Sequence, residues 1–123
     1  MKIVNGDLQE LKGLSYATVK NNILSSAIIP IHFNGDIETG EFEKQAELTF
    51  SNMVHILESA GGKITDVTQV IVYLKNLQHK DKMNEAWGKY FAEHFPNRAT
   101  FIISDFAVPG IEIEIVVTAI INE

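Results

Sequence analysis

Stretches with the spacing of an amphipathic helix alternate along this chain with short runs of β-branched residues, and that alternation limits its fold more than any other feature. From Glu43 the apolar residues fall at Ala46, Phe50, Met53, Leu57 and Ala60, one helical face, and Gly61-Gly62 supplies the left-handed stop expected at a helix C-terminus. Met83, Ala86, Trp87, Tyr90, Phe91 and His94 return to the same spacing and end before Pro96, which predicts a second helix. Between them, Val67 to Leu74 is rich in β-branched and aromatic residues and too short for another long helix, so it reads as a strand. Ile23 to Phe33 reads as a strand closed by Asn34-Gly35-Asp36, with a further turn at Glu38-Thr39-Gly40. Thr100 to Phe106 and Ile111 to Ile121 are two more β segments, joined through Val108-Pro109-Gly110 and expected to form an antiparallel hairpin.

The order is then an N-terminal hairpin, a helix, a strand, a helix and a final hairpin, an α+β architecture with two helices on one face of a mixed sheet. The other face is expected to carry Ile29, Val70, Val72, Ile102 and Ile115. That area is larger than monomers usually leave exposed, so self-association is expected.

A chain of 123 residues, 46% apolar and 21% charged, suits one folded domain spanning 1–123, with no linker or repeat. Ten Lys and Arg against sixteen Asp and Glu give a net charge of −6 without a basic cluster, which makes nucleic acid an unlikely partner. The absence of cysteine excludes a disulfide framework, a thiolate nucleophile, a thiolate zinc site and an iron–sulfur cluster. The segment Met1 to Lys12, with Lys2, Asp7, Glu10 and Lys12 among its apolar residues, has neither a signal-peptide core nor a membrane span, so a cytoplasmic protein without a membrane partner is expected.

There is no G-x-S-x-G elbow, P-loop, dinucleotide-binding glycine motif or H-E-x-x-H helix. His32, His55, His79 and His94 lack the spacing of metal ligands, and His94 reads as structural, so no metal site is expected. Three features remain. Arg98, after Phe95-Pro96-Asn97, presents either a two-point fork for a substrate carboxylate or a surface salt bridge. Glu112 and Glu114, two apart in an aliphatic strand, share a face that belongs either to a site or to solvent. Asn84 follows Met83 near the start of the second helix, where capping is the common role.

Phe95-Pro96-Asn97-Arg98-Ala99-Thr100 followed by Ile111-Glu112-Ile113-Glu114-Ile115 resembles the signature of the RidA/YjgF family, also described as endoribonuclease L-PSP. Three more stretches resemble it in order. Asn21 to Pro30 is similar to the strand leading into S-G-Q-[IL]-P, Glu58-Ser59-Ala60-Gly61 to the E-x-A-G helix end, and Met83-Asn84-Glu85-Ala86-Trp87 to Phe91 to the V-N-x-x-Y-x-x-F-F helix.

The resemblance implies a chorismate-mutase-like fold, a homotrimer with ligand sites in the clefts between subunits, and hydrolysis of enamines and imines such as 2-aminoacrylate to a 2-keto acid and ammonia. It implies no cofactor. Carried over by position, Arg98 clamps the substrate carboxylate, Thr100 and Ala27 contribute backbone contacts, and Ser26 and Asn84 lie near the ligand. Glu114 is the acid that positions water, with Glu112 the alternative. The family's G-P-Y is replaced by Gly13-Leu14-Ser15-Tyr16, with Tyr16 reaching the cleft position only across a gap, and S-G-Q is replaced by Ser26-Ala27-Ile28, which implies a tighter, more apolar cleft. Spacing around Pro109 implies a remodelled hairpin. A trimer that binds a small carboxylate without turnover, and an endoribonuclease, are the other readings.

Overall fold

The computed structural model describes residues 1–8 and 13–122, so Glu10 and Lys12 of the N-terminal segment lie outside the described residues. Its centre is one six-stranded sheet in the order β1-β2-β3-β6-β4-β5. β1 (Lys2–Val4), β2 (Ala17–Lys20) and β3 (Ile23–Ile28) form an antiparallel meander. The β2–β3 turn is Asn21-Asn22, both with positive φ (52° and 66°), the conformation that a two-residue hairpin requires and asparagine tolerates. β3 ends at Ile28, ahead of Pro30, shorter than the run to Phe33 suggested; an isolated bridge between Ile31 and Ile37 closes the loop that follows.

α1 (Phe42–Ser59) and β4 (Val67–Leu74) fall where their patterns place them. α2 (Lys80–Tyr90) follows a short 3₁₀ turn at Leu77–His79, so it starts and ends earlier than the apolar spacing indicated. Asn84 therefore lies inside the helix and is exposed. It caps nothing, and α2 has no side-chain cap; Asn76 caps the preceding 3₁₀ turn, accepting from the Gln78 amide at 2.9 Å. His94 lies past the helix end, where its Nε2 is 2.7 Å from the Val67 carbonyl.

The C-terminal segments correct the sequence expectation. β5 (Asn97–Ile102) and β6 (Ile113–Ile120) do not pair with each other. β5 returns through α2 to lie parallel to β4 at the sheet edge, and β6 enters between β3 and β4, antiparallel to both. The connection at 103–112 is too long for a tight hairpin and lets the chain cross β4. Buried Gln45 of α1 anchors its end: its Nε2 donates to the Gly40 and Gly110 carbonyls (3.2 and 3.1 Å) and its Oε1 accepts from the Glu112 amide (2.8 Å).

Register defines the two faces. Leu24, Ser26 and Ile28 of β3, Val70, Val72 and Leu74 of β4, and Ile113, Ile115, Val117 and Ala119 of β6 share the face that packs with Phe50, Met53, Ile56 and Leu57 of α1 and Met83 and Ala86 of α2. Val70, Val72 and Ile115 are thus core, contrary to the expectation that they lie on the open face, and Ile102 and half-buried Ile29 are not its centre either. The open face carries Ile23, Ala27, Ile71, Tyr73, Phe101, Val116 and Ile120 instead, with Phe101 51% and Ile23 46% exposed. Among the described residues no helix is long and apolar enough to cross a membrane.

Candidate active site

Arg98 sits near the start of β5, level with Val70, and its side chain therefore points to the helix-bearing side of the sheet. There its guanidinium lies 4.7 Å from the centroid of the Trp87 ring, and Nη1 donates to the Met83 sulfur at 3.8 Å. Among the described residues no carboxylate comes within ion-pair distance of Arg98. Burial lowers its pKa from the ordinary arginine value, and the group remains a cation at neutral pH. Arg98 is nonetheless exposed as a residue, and a solvent-accessible guanidinium without a counter-ion can receive a carboxylate, since its parallel N–H pairs match the two oxygens.

The strand that carries Arg98 also offers backbone donors. β5 ends the sheet, and Ile103 N bonds the Leu74 carbonyl at 2.9 Å. Alternate residues of a parallel strand bond to the same neighbour, so Ala99 and Phe101 turn their amides to β4. Arg98, Thr100 and Ile102 turn theirs to the free edge. Thr100 is half-buried beside Arg98, and Asn84 is exposed one position beyond Met83 on α2.

Glu114 occupies the opposite face. It pairs across the ladder with Tyr73 and lines a hollow of ≈ 300 Å³ with Tyr73, Ile103, Asp105, Phe106, Ala107 and Val116. Burial among these groups raises the carboxyl above the ordinary glutamate value. The 103–112 connection that walls the hollow is tied down where Lys75 Nζ meets the Asp105 carboxylate at 3.4 Å. Ala27 lies on the same face, its methyl exposed beside Val116.

Glu112 and Glu114 were expected to share a face, but their surroundings differ. Glu112 precedes β6, and its Oε1 is 3.6 Å from Nδ1 of His79, whose ring stacks on Phe42 with centroids 4.2 Å apart. Ser26 points into the core, where its hydroxyl donates to the Tyr16 carbonyl at 2.6 Å. Tyr16 is itself buried, 7% exposed, with its amide bonded to Asn5 Oδ1. Neither side chain is presented to a ligand in a single copy.

The residues named from sequence therefore fall into two groups that one chain does not unite. Two strand spacings and three residues of rise separate Arg98 from Glu114, roughly 14 Å between their Cα atoms, and the sheet lies between the side chains. Sequence reasoning missed Trp87, Met83, Tyr73 and Phe106. Met83 and Trp87 are four apart on a helix, a signal that assigns them to the core and does not say which edge strand they support. Among the described residues no group of three His, Asp or Glu side chains is arranged to hold a metal ion.

The profile of the endoribonuclease L-PSP family matches residues 8–121. A RutC family protein of Pyrococcus abyssi is 39% identical over 87 residues, 70% of this chain and 68% of that protein. The human 2-iminobutanoate/2-iminopropanoate deaminase is 33% identical over 88 residues, 71% of this chain but only 63% of its own length. RidA from the Antarctic bacterium Psychrobacter sp. PAMC 21119 superposes with a TM-score of 0.89 at 26% identity, covering 98% of this chain and 100% of the other.

Proposed function

Since the chain belongs to the endoribonuclease L-PSP family, the family also called RidA/YjgF, we propose that it hydrolyses reactive 2-enamino and 2-imino acids to 2-keto acids and ammonia, in clefts between copies of a homotrimer. The observation that carries the reading is Arg98, an exposed residue whose guanidinium rests against Trp87 and Met83 with no carboxylate partner among the described residues, beside an outward-facing Thr100 amide. Arg98 holds the substrate carboxylate at two points, and the Thr100 amide adds a third donor. Glu114 of a neighbouring copy then faces the bound imine across the interface.

The chemistry asks little of such a site. An enamine is first protonated by solvent at its terminal carbon to give the iminium ion, the protonated form of the imine. Its carbon is electrophilic, so a water held by the Glu114 carboxylate adds to it while the carboxylate takes one water proton, leaving a neutral carbinolamine. Glu114 returns that proton to the amine nitrogen, and ammonia leaves as the C–O double bond forms and the hydroxyl proton passes back to the carboxylate, giving the 2-keto acid. Orientation and general acid–base help suffice, without a metal or an organic cofactor. A carboxyl raised by burial suits this exchange, since it holds and releases a proton nearer neutrality than an exposed glutamate. Glu112, drawn towards His79, is the alternative acid. The apolar open face, with Ile23, Phe101 and Ile120 exposed, supports the assembly.

A second reading, a trimer that binds a small carboxylate without turning it over, is favoured by the Ala27 methyl on the open face and by Ser26 being turned into the core. The test is release of ammonia or keto acid from enzymatically generated 2-aminoacrylate and from bulkier imines, with the intact protein and Arg98→Ala. Acceleration that disappears in the variant supports the deaminase. No acceleration with any imine, alongside retained keto-acid binding, leaves the binding trimer.

A further inference from the structure

Arg98 needs support, because a long side chain on an edge strand otherwise samples many rotamers and carboxylate binding must then order it. Its contacts are of an unusual kind. A salt bridge would hold it at the cost of its charge and donors, whereas an aromatic face and a thioether sulfur hold it and leave both available. We propose that Trp87 is the positioning residue of the carboxylate site: its indole face is the platform that sets the Arg98 guanidinium, with the Met83 sulfur as a side stop.

This rests on the reading of Arg98 as the carboxylate clamp. Three observations support it. The guanidinium carbon is 4.7 Å from the ring centroid, well inside the range of cation–π attraction, for which indole is the best ring. The platform is itself fixed, since Trp87 meets Phe50 edge-on at 6.2 Å and 80° and lies against Phe91 at 4.3 Å, both phenylalanines being fully buried. Met83 is fully buried too, so the sulfur that receives Nη1 has a set place. One weak bond to sulfur leaves the remaining guanidinium N–H donors for a ligand. The sequence pattern that the family resemblance rests on has tyrosine where this chain has Trp87; both rings offer an aromatic face, and indole attracts a cation the more strongly.

Trp87 is the only tryptophan of the chain, so its fluorescence reports directly on this contact. The intact protein is titrated with 2-oxobutanoate while the emission is followed. A saturable change is expected, and it should be absent with the corresponding amide and in Arg98→Met. For variants, 2-oxobutanoate affinity is measured by calorimetry and imine turnover by keto-acid release. Trp87→Leu should weaken binding and raise KM about tenfold, a change of ~1.4 kcal/mol, with kcat within about twofold, because the platform acts on a contact made equally in ground and transition states. Trp87→Tyr should recover most of that loss. A wild-type emission indifferent to 2-oxobutanoate overturns the proposal. So does a Trp87→Leu protein that binds as the wild type does, or an affinity lost as fully in Trp87→Tyr as in Trp87→Leu, since that outcome is lost packing. If no imine is hydrolysed while 2-oxobutanoate binding follows the expected order of variants, the deaminase reading fails and the platform stands.

Discussion

Two single variants, each inactive, should restore activity when they share an assembly. Arg98 and Glu114 lie on opposite sides of the sheet, with backbones roughly 14 Å apart, so the proposed reaction would need the arginine of one copy and the glutamate of another. Arg98→Ala removes two charge-assisted hydrogen bonds to the substrate carboxylate, about 3 kcal/mol or roughly a hundredfold in kcat/KM. Glu114→Gln removes the proton acceptor, worth about a hundredfold or more. When the two variants are co-expressed in equal amounts and assemble at random, a site is intact if its arginine donor is the Glu114→Gln chain and its glutamate donor the Arg98→Ala chain. Each condition holds half the time, so about a quarter of the sites recover, whatever the number of subunits in a closed ring. The assay is keto-acid release from the purified mixture, with native mass spectrometry of one mass-labelled variant verifying that chains have mixed. Mixed assemblies that stay as inactive as either parent would refute the split site, as would a single variant of near wild-type activity.

Glu114 also gives a pH signature. Burial raises its carboxyl above the unfolded-state value, so the folded protein keeps this proton to higher pH, and the stability tied to it is present in acid and lost as pH rises through the folded value. Glu114→Gln should therefore raise the urea midpoint at about pH 7 and leave it unchanged at about pH 3, where both states are protonated. The acidic limb of kcat/KM should lie above the ordinary glutamate range and vanish in the variant; equal gains at both pH values would contradict the assignment. At the β2–β3 turn, Asn21→Val forces a β-branched side chain into positive φ (52°) at a cost of about 1–2 kcal/mol, which lowers Tm by roughly 5 °C, while Asn21→Gly does not. Indistinguishable melting curves for the three proteins would mean that the turn relaxes to another conformation.

How far the fold was legible depended on contrast along the chain. Val67–Leu74 was delimited residue for residue because a 3₁₀ turn and a polar stretch bound it. Phe42–Ser59 came within a residue or two because a long periodic face ends at two glycines. The faces of the sheet were misjudged where apolar residues run without alternation: in Val70-Ile71-Val72 nothing in the sequence says which side is core. In β6 the contrast exists: Glu114 alternates with Ile113 and Ile115, and the same alternation that puts the glutamate on one face puts Ile115 on the other, the core. The Asn21-Asn22 turn was equally readable as a two-residue hairpin and was overlooked. For the site, Arg98 stood out through its motif, but its placement opposite Glu114 depends on strand register, which no local pattern states.

That register traces back to one topological choice. Had β5 and β6 formed the antiparallel hairpin the sequence suggested, β6 would have taken the outward amides of Arg98, Thr100 and Ile102, and no free donors would remain at that edge. Because the chain crosses β4 instead, β5 is left terminal, the usual liability of an unpaired strand, and its free donors are what the proposed function uses as a binding edge. The same crossing puts β6 in the middle of the sheet, where Glu114 is flanked by Tyr73 and walled by the 103–112 connection, the burial that raises its carboxyl above the ordinary glutamate value. Anion receptor and proton carrier thus both follow from where one strand is inserted. They remain apart in a single copy, so under the proposed function covering the open sheet face and completing the site would be a single event.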